Sequence, residues 1–119
     1  MIEFEELNQR LMQSEEPINN LKEALDIDNV KVQIAELEKQ SAAPDFWDDM
    51  ENSQKTMQKI GSLKAKVASY ENLKNDFDDA QVMIELANEE EDESLVEDCT
   101  KSVDDIEKRI EKLTLSTLL

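Results

Sequence analysis

The stretch Ile60–Asn88, IGSLKAKVASYENLKNDFDDAQVMIELAN, decides the fold. Ile60, Leu63, Val67, Tyr70, Leu73, Phe77, Ala80, Ile84 and Ala87 recur at spacings of three and four. That period lines one face of an α-helix and matches neither face of a strand, where the repeat is two. Met57 extends the series one turn upstream. Gly61 is the one weak point, worth about 1 kcal/mol against Ala. The pattern predicts a helix over residues 51–88, roughly 55 Å long at 1.5 Å per residue.

A helix of that length with one apolar stripe must be covered by others. Leu95, Cys99, Val103, Ile106, Ile110, Leu113 and Thr117 form a heptad seam, predicting a helix over 92–117. Asp92 is a candidate cap, and Ser94 with Glu97 makes an alternative capping box. Asp104 with Lys108, and Asp105 with Arg109, are i,i+4 pairs of favourable orientation. Upstream, Leu7, Leu11, Ser14, Ile18, Leu21 and Leu25 make a third stripe; Pro17 either kinks one helix or opens a second in its first turn, and because the phase holds across it one kinked helix over 3–25 is expected. Ile27, Val30, Ile34 and Leu37 open a new phase over 27–42, with Asp26 or Asp28 as its cap and Pro44 beyond its end. The fold class that satisfies these stripes within one domain, 1–119, is all-α: an antiparallel helical bundle built around a long helical hairpin, coiled-coil-like.

Composition agrees. With Gly at 1 and Pro at 2 of 119 residues, turn-rich sandwiches and glycine-rich phosphate loops are excluded. Charged residues reach 36% with a net charge of −17, which favours disorder unless the stripes pack together. The single Cys rules out an internal disulfide. The opening MIEFEELNQR lacks the pattern of a secretory signal, and no apolar run approaches the roughly 18–20 residues of a membrane span. A cytoplasmic protein with no membrane partner is expected. Overall acidity argues against DNA or other non-specific nucleic-acid binding.

Two places break the pattern. At Ser41–Asp49, SAAPDFWDD, the only Trp stands beside one of three Phe. Pro44 ends a helix, Asp45 can cap the next turn, and Phe46 and Trp47 point about 100° apart. Pro44, Phe46 and Trp47 are read as a structural anchor, one or both rings clamping the corner; a partner-binding aromatic is the other reading. The second place is Glu89–Glu93. Residues 75–99 carry 11 carboxylates and no basic side chain, whereas 51–74 carry 5 basic and 2 acidic. Folding the hairpin puts Glu89, Glu90, Glu91, Asp92 and Glu93 at an acidic tip. It serves either as a solvated cap or as an electrostatic steering surface toward a basic partner.

Catalytic chemistry is not evident. There is no His, the commonest general base and metal ligand. Cys99 lies on an apolar heptad position and reads as core. The aspartates at 45, 48 and 49 lack the spacing and Gly of an EF-hand. No catalytic residue, cofactor or metal site is expected, and no enzyme activity.

The order of AELEKQSAAPDFWDD, a Gln/Lys-rich helix and IELANEEEDESLVED resembles the N-terminal domain of bacterial class I peptide chain release factors, and LKEALDIDNVKVQIAELE resembles the release factor 2 branch of that family. The resemblance covers essentially the whole chain. It implies a ribosome-docking domain in a factor that terminates translation at UGA and UAA by promoting peptidyl-tRNA hydrolysis. The implied partners are the ribosome, a basic stalk-base protein and rRNA of the large subunit. The stop codon and peptidyl-tRNA would be met only through domains missing here. The family's Gly-Gly-Gln and Ser-Pro-Phe motifs are absent, so a non-catalytic piece of a longer protein is expected. The rival readings from the residues alone are an acidic coiled-coil adaptor or oligomerisation module, and a helical holdase chaperone.

Overall fold

The stripes become five α-helices in a computed structural model that describes residues 1–119. These are α1 (Ile2–Met12), α2 (Glu15–Ala24), α3 (Ile27–Ser41), α4 (Met50–Glu89) and α5 (Val96–Leu118). Single 3-10 turns stand at Phe46–Asp48 and Glu93–Leu95, and there is no strand. The architecture is the all-α antiparallel bundle.

The helix expected over 3–25 is two helices. The break falls at Gln13 and Ser14, where the Ser14 N–H donates to the Leu11 carbonyl at 2.9 Å and tightens the last turn of α1. Pro17 becomes the third residue of α2. There its missing N–H is one of the donors that a helix start leaves unpartnered, whereas in a continuous helix its ring would press on the Gln13 carbonyl. The stripe nevertheless crosses the break in phase. Leu7, Leu11, Ser14, Ile18, Leu21 and Leu25 are all buried, joined by Phe4 at 0% exposure. At Asp26 the backbone turns left-handed, φ 55° and ψ 46°, and redirects the chain into α3. An Asp tolerates that conformation better than most residues. Its carboxylate caps no backbone N–H, contrary to expectation, and accepts from Asn29 Nδ2 at 3.1 Å instead.

The broken run α1–α2–α3 lies antiparallel along the whole of α4. The Met1 ammonium meets Asn88 at one end, Lys64 pairs with Glu38 at 3.2 Å further along, and the Ser53 hydroxyl donates to the Phe46 carbonyl at the other end. α5 folds back beside α1 on the second half of α4. The result is a rod of 63 × 27 × 18 Å with a radius of gyration of 19.2 Å. A compact globule of this length would have a radius near 14 Å.

The core is correspondingly uneven. Sixteen buried residues, Phe77, Leu73, Ile84, Cys99 and Ile106 among them, join α1, α2, α4 and α5 around the second half of α4. Beyond them α3 and the first half of α4 form a two-helix arm. Val30, Leu63 and Val67 are its buried cluster, with Ile34 and Leu37 half-covered. Met57, placed on the stripe by its spacing, is exposed; Ser53, one turn upstream, is fully buried. Here α4 is covered by α3 and, at Ser53, by the Phe46 turn, and a two-helix contact shelters a narrower strip than a bundle does.

Candidate functional site

The acidic tip is built by the end of α4. Glu89 is its last residue and Glu90 follows in helical conformation. Glu91 turns left-handed at φ 52°. The Asp92 N–H donates to the Ala87 carbonyl at 3.0 Å, and the Glu91 N–H to the Asn88 carbonyl at 3.1 Å. Those two bonds are a Schellman motif, in which Gly is the usual left-handed residue. Asp92 then starts the return: its carboxylate accepts from the Ser94 N–H at 3.0 Å and from the Ser94 hydroxyl at 2.6 Å. The motif therefore fixes the turn while Glu89, Glu90, Glu91 and Glu93 stay exposed. None of the five carboxylates enters an ion pair. Beside the tip in sequence, Asn88 Oδ1 holds the Met1 ammonium at 2.6 Å.

The aromatic corner stands at the opposite end of the rod. Pro44 is exposed in the turn that leaves α3. Phe46 is buried, at 9% exposure, whereas Trp47 remains 53% exposed. Phe46 is thus the ring that packs inward, and Trp47 faces out. The two rings meet edge to face, centroids 5.2 Å apart and planes at 88°. Asp45 contributes no side-chain cap to its turn; Asp49 is the cap of α4, accepting from the Asn52 N–H at 3.1 Å. Ser53 locks the corner, its hydroxyl lying within hydrogen-bond reach of the Phe46 and Asp49 carbonyls, the latter at 2.8 Å. The apolar period has no way to find Ser53. The one sequence clue is its place four residues after a capping Asp.

Between these ends several basic side chains pair across helices. Arg10 of α1 pairs with Asp104 at 2.7 Å and Glu107 at 2.5 Å on α5. Those hydrogen bonds, to Glu107 first, raise the Arg10 guanidinium above its ordinary range. Asp104 therefore serves α1, not the Lys108 that its spacing indicated. Arg109 bridges Asp76 of α4 at 2.5 Å and Asp105 at 3.0 Å. Burial works against its charge, but the bonds to the two carboxylates outweigh it and the net shift is upward. Lys31 meets Glu71 at 3.1 Å. Cross-helix ion pairs thus lie along the middle of the rod, whereas none of the carboxylates at Glu89–Glu93 is paired.

Cys99 is fully buried in the bundle core. Burial, and then the charge of Asp98, push its thiol up, away from the reactive thiolate. No group of three or more His, Cys, Asp or Glu side chains is arranged to hold a metal ion. No helix is long and apolar enough to cross a membrane.

Comparison with known proteins agrees with this geometry. Residues 30–119 match the PCRF domain. The chain is 31% identical over 118 residues to peptide chain release factor 2 of Exiguobacterium sp., which spans 99% of this chain and 32% of that protein. It is 32% identical over 114 residues to peptide chain release factor 2 of Streptomyces avermitilis, spanning 96% of this chain and 31% of the relative. Peptide chain release factor 2 of Staphylococcus epidermidis is 31% identical over 118 residues, with 99% and 32% covered. The chain spans about a third of the length of the curated relatives it matches. With three quarters of its residues under the family match, the chain belongs to the PCRF domain family, as a region similar to peptide chain release factor 2.

Proposed function

We propose that this helical rod is the docking region of a peptide chain release factor, and that its acidic tip positions the factor on the ribosome. The longer factor would terminate translation in the cytoplasm at UGA and UAA, promoting peptidyl-tRNA hydrolysis through regions beyond these 119 residues. Here the rod supplies reach and charge, not chemistry. The observation that carries the reading is the placement of Glu89–Glu93. Five consecutive carboxylates, free of ion pairs, sit on a Schellman turn at one end of a rod 63 Å long. A charge cluster held clear of its own fold accelerates encounter with an oppositely charged surface. A basic protein at the large-subunit stalk base fits it, with adjacent rRNA approached only beside that protein because bare phosphate is repelled.

The test is association kinetics in the full-length factor. Changing Glu89, Glu90, Glu91 and Glu93 to Gln leaves the Asp92 cap in place. We expect ribosome association to slow by about 3- to 10-fold at low salt, with the difference shrinking as salt rises past 0.15 M, where the Debye length is about 8 Å. An unchanged rate at low salt removes the steering role.

The adaptor reading is less favoured because the heptad seam of α5 is used internally: Cys99, Val103 and Ile106 are buried against this chain's own α1 and α4. A monomer in sedimentation agrees with that assignment; a stable dimer favours the adaptor.

A further inference from the structure

We propose that the Phe46–Trp47 corner is a docking site for an arginine-bearing segment of a protein partner, with the Trp47 indole as a stacking platform and Asp45 and Asp48 as its carboxylates. This goes beyond the function proposed for the acidic tip and uses the other end of the rod.

Trp47 is the only Trp, and it is the only exposed aromatic side chain: Phe4, Phe46, Tyr70 and Phe77 are all buried. The corner does not need it as a clamp, because Phe46 fills that role. The indole does have one packing partner. It rests edge to face on Phe46 at 5.2 Å, and the Phe46 carbonyl is tied to the fully buried Ser53 hydroxyl. A ring already packed on a neighbour loses less freedom on binding than a wholly free one. Met50, three residues on, is also exposed and adds polarisable surface.

The charges around the ring select its occupant. No basic residue occurs between Lys39 and Lys55, while Asp45, Asp48, Asp49 and Glu51 fall in that interval. Asp49 caps α4 and Glu51 pairs with Lys55 at 3.4 Å. Asp45 and Asp48 enter no ion pair. A bare indole can stack a nucleobase, but such platforms work inside positive grooves, and here the neighbours repel phosphate. A guanidinium suits both features: it stacks flat on indole and bonds a carboxylate through its planar fork. A second copy of this chain does not supply it. Arg10 and Arg109 are its only arginines, and both are committed to carboxylates between helices.

The single Trp makes the test direct. The 119-residue chain is titrated with an Arg-Gly-Arg-Gly-Arg peptide, the matched lysine peptide and a uridine oligonucleotide, reading Trp47 emission. The arginine peptide is expected to shift the emission at least 5-fold more tightly than the lysine peptide, and the oligonucleotide to leave it unchanged. Asp45→Asn with Asp48→Asn should weaken the arginine peptide at least 5-fold. Gln at 89, 90, 91 and 93 should leave corner affinity within 2-fold. Trp47→Leu, read by calorimetry with helicity checked by circular dichroism, should weaken it similarly to the Asp pair. The proposal is overturned by a silent Trp47, by equal affinity for the two peptides, by oligonucleotide binding at the corner, or by affinity lost with the tip and not with the corner. Emission that changes with chain concentration alone would assign the corner to self-association and overturn it too.

Discussion

Glu91 is where the acidic tip is most strained. It holds a left-handed backbone, φ 52°, that costs a residue with a Cβ about 1–2 kcal/mol and Gly almost nothing. Glu91→Gly is therefore expected to stabilise the chain by about 1 kcal/mol in urea denaturation. Glu91→Gln, which removes the charge and keeps the Cβ, should gain less; an equal gain would assign the effect to repulsion alone. Cys99 makes a pH prediction. Its thiol is raised in the folded state by burial, so the folded chain keeps a proton that the unfolded chain loses near pH 8.5. The unfolded state then binds fewer protons, and stability falls as pH rises from that point toward the folded value. Below pH 8 this contribution is flat. Cys99→Ala should lose the alkaline decline attributable to the thiol, at the cost of a small cavity, and denaturation at pH 7 and pH 9.5 measures both.

Among the elements, α4 belongs to two structures at once. Its second half is packed by α1, α2 and α5 around sixteen buried residues; its first half meets α3 and the Phe46 turn, around a buried cluster of three. The arm is therefore expected to open without the bundle, as regions with few buried contacts do. Hydrogen exchange should show amides of 30–41 and 50–63 exchanging well before those of 70–87. Protection that is uniform along α4 would refute a separate arm. Truncation should follow the same division. Leu73→Ala, at a fully buried bundle position, is expected to cost about 2–5 kcal/mol. Leu63→Ala should cost less globally and speed exchange mainly in the arm. The ion pairs of Arg10 and Arg109 join helices but sit near the surface, so each contributes at most about 1 kcal/mol.

Over the whole molecule, charge opposes stability and favours encounter. A net −17 on a slender rod repels itself, most strongly at the acidic tip, while the cross-helix pairs offset part of it along the middle. Raising salt from 0.01 to 0.15 M shortens the Debye length from about 30 to about 8 Å. Thermal midpoint is expected to rise by several degrees over that range, because the repulsion removed exceeds the few attractive pairs weakened. A midpoint that falls would mean the ion pairs dominate.

The sequence by itself determined the class of this fold, because burial has a period: Leu7, Leu73, Phe77 and Val103 could be placed on helix faces from spacing alone. It also located the acidic tip, since a run of five carboxylates is a local fact. It could not tell that Pro17 starts a helix instead of kinking one, because the stripe keeps the same phase either way. Nor could it tell which of Phe46 and Trp47 faces inward, or that Ser53 rather than Met57 is buried. Those depend on which neighbour covers each side chain. The tertiary structure alone decided that α1 to α3 line the whole of α4 while α5 covers half of it, and hence that the Trp47 indole stands uncovered at the far end.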